Sequence, residues 1–242
     1  MYLKVENISV KAQKTQIIRD ISFDLAEGTI LGLIGANGSG KSTLMKAIIG
    51  VIPKSGSSNL VVMNKENAKT ETELTFGFVP EEPILYDYMS IHRNFMVTSV
   101  SKGLKDNHHE IESLISLLRL DHLSFRKARS LSQGEKKRVS IGLALLGNPD
   151  VLLLDEPHNG LDIDGIMILK SIIESRAKDH IIVLCSHYFS EIEAHCTHIL
   201  ALARGEIILN DSMNIVLGKF QSIEKLFISM ILNPTHEKNL AV

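Results

Sequence analysis

The clearest chemistry in the chain lies in Gly35-Ala36-Asn37-Gly38-Ser39-Gly40-Lys41-Ser42, followed by Thr43. This is the spacing G-x-x-x-x-G-K-S, which wraps phosphate. Its glycines let backbone amides turn inward around phosphate oxygens. A helix starting at the end of the run adds unpaired N–H donors and the positive end of its dipole. In such a cradle Lys41 bridges the β- and γ-phosphates, Ser42 holds Mg²⁺ and Thr43 donates to the α-phosphate. Gly35, Asn37, Gly38, Ser39 and Gly40 supply the surrounding backbone. A second group is the acidic pair Asp155-Glu156, at the end of the apolar run 151–154. Adjacent strand residues point to opposite faces, and strand ends adjoin ligand crevices in parallel sheets. Asp155 suits the shell of Mg²⁺, because hard divalent ions prefer carboxylate and water oxygens. Glu156 suits polarisation of an attacking water. The plainer readings are a glycine turn with a chance lysine and a solvated acidic pair. Both lose weight because the two features occur together.

These groups need a scaffold, and the hydrophobic periodicity describes one. Strand patterns cover 3–5 and 21–25, and an apolar strand at 30–34 runs directly into the glycine loop. A helix follows through 44–49, ending at Gly50. Short strands are predicted at 60–63 and 76–79. Ile111, Leu114, Ile115 and Leu118 then repeat at helical spacing. Ser132 can cap a helix running to about Gly147, with Glu135 placed for a capping box. A buried strand at 151–154, a helix over 163–177 and a buried strand at 181–185 follow. This alternation argues for an α/β fold with a parallel sheet. The expected organisation is one domain over 1–242. Its core comes from 1–82 and 131–211, with a helical lobe at 83–130 and a C-terminal helical tail at 212–242.

Composition narrows the class. The 242 residues are 44% hydrophobic and 22% charged, ordinary values for a folded globule. Lys and Arg number 26 against 28 Asp and Glu, so no excess positive charge favours nucleic acid as a partner. Cys185 and Cys196 are the only cysteines, which rules out a disulfide scaffold. The opening MYLKVENISV lacks the apolar stretch of a leader, and no apolar run is long enough to span a bilayer. A cytoplasmic location is expected, with any membrane role exercised through a partner.

Further motifs carry a resemblance. Leu131-Ser132-Gln133-Gly134-Glu135 resembles the signature LSGGQ of the ATP-binding cassette (ABC) ATPases. Gly160-Leu161-Asp162 resembles their D-loop, and Ser186-His187 their switch histidine. The likeness covers nearly the whole chain. It implies a P-loop fold of ABC ATPase type: a mixed-sheet core, an N-terminal antiparallel β portion and an inserted helical lobe. It further implies that ATP and Mg²⁺ are held between two head-to-tail subunits, identical or different. Ser132 and Gly134 would touch the γ-phosphate bound on the partner, Asp162 would join that interface, and His187 would contact the γ-phosphate. Glu156, His187 and Lys41 would be the catalytic set, with Ser42, Asp155 and Glu81 around the metal.

The chain departs from the family pattern in four places. Ala12 falls where an aromatic ring usually stacks on adenine, an interaction worth ~1–3 kcal/mol. Glu81 stands at the Q-loop glutamine position, Gln133 and Glu135 alter the signature, and His158 precedes the D-loop. Pro80-Glu81-Glu82-Pro83 with Leu85-Tyr86, and Ser222-Ile223-Glu224-Lys225-Leu226-Phe227, resemble the branch that serves type-2 permeases in drug, antibiotic and bacteriocin export. On that resemblance the chain is the ATPase subunit of an exporter, peripheral on the inner face of the cell membrane. Its partners are an integral membrane permease and a second ATPase subunit. Pro83, Ile84, Leu85, Tyr86 and Tyr88 are expected to grip the permease, or else to be buried within the lobe. The alternatives are a soluble non-transport ABC ATPase, such as the iron–sulfur assembly type, and a slow nucleotide switch. Cys185, His187, His195, Cys196 and His198 cluster without a zinc spacing. Lys136-Lys137-Arg138 reads as a solvated face of the signature helix.

Overall fold

The computed structural model describes residues 1–13, 15–54, 75–105 and 107–232. The strands are β1 (Tyr2–Ala12), β2 (Thr15–Ala26), β3 (Ile30–Ile34), β4 (Phe76–Val79), β5 (Val151–Asp155), β6 (Ile181–Cys185), β7 (His198–Ala203) and β8 (Glu206–Ser212). The helices are α1 (Lys41–Ile48), α2 (Ile91–Ser101), α3 (His108–Leu117), α4 (Gln133–Leu145), α5 (Ile163–Arg176), α6 (Phe189–His195), α7 (Met213–Phe220) and α8 (Ile223–Leu232). The strand expected at 60–63 and the tail beyond 232 lie outside the described residues. The chain forms two compact units, one from 1–73 with 177–242 and one from 74–176.

In the first unit β1 and β2 make an antiparallel ribbon, in which Leu3 faces Leu25 and Val5 faces Phe23. Those four side chains are buried while their neighbours alternate outward, the period of a strand with one covered face. The strand patterns at 3–5 and 21–25 thus mark the inner stretches of much longer strands. β3 is parallel to both β6 and β7, and β7 turns back antiparallel onto β8. β3 and β6 are buried along their whole length, which is why they read as unbroken apolar runs. At the C-terminal end Ser222 Oγ accepts from Lys225 N at 3.1 Å and caps α8. Ile223 and Leu226 are fully buried, and the Phe227 ring sits 5.1 Å from Phe189. The S-I-E-x-x-F pattern is therefore a helix cap followed by an apolar face.

The second unit carries the parallel pair β4–β5, with Phe76 opposite Val151 and Val79 opposite Leu154. α2, α3 and α4 pack around Phe95, Ile111, Leu118 and Val139, all of them fully buried. Ser132 forms the capping box expected of it. Its Oγ accepts from Glu135 N at 3.2 Å, and Glu135 Oε2 accepts from Ser132 N at 2.7 Å. The unusual Glu135 of the signature has this structural task. Among the described residues no helix is long and apolar enough to cross a membrane.

Candidate nucleotide site

In the first unit the phosphate loop leaves the end of β3 and enters α1 through Gly40, whose backbone is left-handed at φ 106°. Lys41, the first helical residue, reaches back over the loop: its Nζ donates to Gly35 O at 2.7 Å and to Ala36 O at 3.2 Å. Those bonds close the loop into a ring. Gly35 admits no larger residue, because a Cβ there would lie 2.4 Å from Leu202 O and 2.6 Å from Ser39 Oγ. Ser39 O accepts from Gly205 N at 3.0 Å, which ties the loop to the β7–β8 turn. Ser39 Oγ is buried without a hydrogen-bond partner. A buried hydroxyl left without a partner is apt for an anionic oxygen.

His187 belongs to the same unit. Leu33 on β3 pairs with Cys185 on β6, so Gly35 and His187 each lie two residues beyond paired positions, at the same end of adjacent parallel strands. The His187 side chain is exposed, its ring 4.2 Å from that of Tyr188. Ala12 pairs with Thr15 at the exposed tip of the β1–β2 ribbon. Behind the loop lies a feature that sequence reasoning missed. A cavity of 320 Å³ is bounded by residues 36–39 and Arg204 on one side and by Phe227, Met230 and Ile231 of α8 on the other. The terminal motif hinted at a packing tail but not at what it packs beside.

In the second unit the acids collect by the same logic of register. Val79 pairs with Leu154, so Glu81 and Glu156 each follow two residues later, at neighbouring strand ends. Asp155 is buried and its Oδ1 has no hydrogen-bond partner. An uncompensated buried carboxylate oxygen is costly, and a hard cation is a suitable partner for it. Glu156 has a left-handed backbone at φ 46°. Such strain in a non-glycine residue concentrates at functional sites. Glu81 is exposed.

Gly134 serves packing as well as any phosphate contact: a Cβ there would lie 2.8 Å from Gly160 O, so the signature loop rests directly on the D-loop. Asp162 Oδ1 accepts from Gly165 N at 2.8 Å at the start of α5, and its Oδ2 is 3.9 Å from Arg138 Nη2. Arg138 Nη1 also donates to Leu118 O at 3.2 Å.

The basic triplet 136–138 corrects the expectation of a solvated face. Lys137 is 0% exposed and Arg138 is buried. Helical spacing turns both toward the interior of the unit, where their donors have acceptors waiting. Lys137 Nζ donates to Pro80 O at 3.0 Å and Glu81 O at 2.8 Å. Burial lowers its pKa to about 8, opposed by the carboxylates of Asp155, Glu81 and Glu156. Next to this segment is a hollow of 250 Å³ lined by Phe76, Phe78, Ile84 and Leu143 together with Thr98 and Lys102. Ile84 is 81% and Tyr88 77% exposed, so neither is buried within the lobe. No group of three or more His, Cys, Asp or Glu side chains placed to hold a metal ion occurs among the described residues, while Cys185 and Cys196 are buried.

Residues 18–159 match the model of the ABC transporter family. The lantibiotic transport ATP-binding protein SrtF of Streptococcus pyogenes is 32% identical over 95% of this chain and 97% of its own length. The linearmycin resistance ATP-binding protein LnrL of Bacillus subtilis is 33% identical over 85% of this chain and 68% of its own. A solved structure titled as an ATP-binding subunit of an ABC transporter superposes with a TM-score of 0.83, covering 96% of this chain and all of that one, at 24% identity. That last likeness concerns the fold.

Proposed function

Because the chain belongs to the ABC transporter family, it is the ATP-binding and ATP-hydrolysing subunit of a transporter, and we propose that it works as one of two cassettes that close on Mg-ATP and drive a separate membrane permease. The observation that carries this reading is the phosphate loop, with Lys41 drawn across it and a glycine where no side chain fits. Lys41 and the backbone of residues 38–43 hold the triphosphate, and Thr43 takes the α-phosphate. Ser42 is the proposed Mg²⁺ ligand of the first unit, and Asp155, with Glu81, that of the second. The unpartnered Oδ1 of Asp155 supports this. When bound, Mg²⁺ supplies neutralisation of phosphate charge. Glu156 orients and polarises the attacking water, and His187 contacts the γ-phosphate. Ser132, Gly134 and Asp162 meet the nucleotide of the second cassette.

The relatives named for lantibiotic transport and linearmycin resistance support export of an antibiotic, and we assign this chain that cargo class. The exposed Ile84, Tyr86 and Tyr88 support a permease docking at this segment. On this reading the chain works peripherally on the cytoplasmic face of the membrane. Purification from native membranes tests the reading. The chain is expected to bring an integral membrane protein with it, and the pair to hydrolyse ATP. A chain that left the membrane alone and turned over ATP at the full rate would favour the soluble, non-transport alternative.

A further inference from the structure

We propose that Lys137 is a positioning residue for hydrolysis, the counter-charge that lets three carboxylates gather at the ends of β4 and β5 and the tether that fixes the loop after β4. The inference rests on the reading of Asp155 and Glu156 as the hydrolytic acids. Its starting point is a lysine with no solvent exposure, a rare state for an ammonium group. Two of its three donors are taken by consecutive backbone carbonyls, Pro80 O and Glu81 O. Proline and the residue after it lie just beyond β4, where strand pairing no longer holds the backbone. Lys137 replaces that pairing and so sets where the Glu81 side chain starts.

Charge supplies the second half of the argument. Register brings Glu81 and Glu156 to the same end of neighbouring strands, with Asp155 one residue before. Three like charges so gathered repel, and a nearby opposite charge is the usual remedy. Lys137 brings a buried cation to the backbone of Glu81, one of the three. Lys137 also stands on the helix that Ser132 caps, and the next residue, Arg138, reaches Asp162 of the D-loop. A shift of α4 is therefore felt at the loop after β4 and at the hydrolytic carboxylates together. Lys137 touches backbone oxygens and not the reacting atoms, so its effect is exerted through Glu81, Asp155 and Glu156.

The test uses the full chain and two readouts: steady-state turnover of Mg-ATP and amide hydrogen exchange of the 80–88 segment without nucleotide. K137Q is expected to keep KM within ~3-fold while kcat falls ~10–100-fold, the range for loss of a group that orients a ligand from behind. Exchange at residues 81–84 should quicken in K137Q and stay slow in K137R, which keeps the charge and can still donate. Removing one acid should relieve the imbalance of charge, so E81Q/K137Q is expected to melt above K137Q. Wild-type kcat in K137Q overturns the proposal, as does unchanged exchange or a double variant that melts no higher than the single one. If K137Q melts far below the wild type, the charge-balanced E81Q/K137Q is expected to regain the melt, and failure to do so also overturns it. E156Q separates the two readings. If E156Q turns over like the wild type, the assignment of the hydrolytic acid fails; if E156Q is slow while K137Q is not, only the role of Lys137 fails.

Discussion

Lys41 does two things at once. Its bonds to Gly35 O and Ala36 O shape the loop, and its charge is what a triphosphate meets there. Lys41→Ala is expected to weaken ATP binding by ~1.5–3 kcal/mol, the contribution of a charge-assisted hydrogen bond, which an equilibrium titration with a fluorescent nucleotide would read. An unchanged Kd would remove the cradle assignment. The cysteines give a prediction of another kind. Burial pushes the Cys196 thiol up to about 12 from its ordinary 9.0. The native state then keeps a proton that the unfolded chain sheds above about pH 9, so this group's contribution to stability is present below pH 9 and is lost as pH rises toward 12. At pH 8 neither buried thiol should react with an aromatic disulfide reagent until denaturant is added, when both should. Rapid reaction of the native protein would contradict the burial. At this scale the sequence was legible wherever a residue type has one strong use: the glycine–lysine loop, the acidic pair after an apolar strand, the serine cap. It misled at Lys137 and Arg138, because a run of cations is usually solvated, and the carbonyls that pair with them lie tens of positions away.

Elements explain why those residues meet. Two pairings, Leu33 with Cys185 and Val79 with Leu154, deliver four functional segments to strand ends with no further device. The apolar runs made the strands themselves readable, but not their register or order, which depend on contacts the linear pattern does not carry. α4 is the element on which most depends. Ser132→Ala removes the capping box and is expected to cost ~0.5–2 kcal/mol, a drop of ~2–4 °C per kcal/mol in Tm for a chain of this size, measured by calorimetry. A variant melting with the wild type would show that the cap contributes nothing to stability. α8 illustrates the limit of local reading. Its cap and apolar face were visible as S-I-E-x-x-F, whereas the cavity its far end shares with the phosphate loop was not.

Over the whole molecule the alternation of strands and helices made the α/β class legible. How the residues group into two compact units was not, because the unit from 74–176 joins β4 to β5 across the intervening helices, while 177–242 returns to 1–73. Lys137 and Arg138 are buried, so the signature helix offers less positive charge to solvent than its sequence suggests. Pairing of cassettes is the property that belongs to this scale. Glu156→Gln is expected to bind Mg-ATP while hydrolysing it ~10²–10⁴-fold more slowly, and to shift to twice the mass in light scattering when Mg-ATP is saturating. A variant that stayed at the mass of one chain under those conditions, with its permease present, would count against closure on nucleotide.

The 13-residue rod of α4 bears at one end a serine, one turn on an interior lysine, and beside it an arginine. Any substitution that tilts this rod disturbs several neighbours in the same stroke. Tuning turnover alone, by selection or by hand, therefore demands matched changes in loops far apart in the chain. Single exchanges along its inner edge should slow turnover and loosen the neighbouring loops in the same variant.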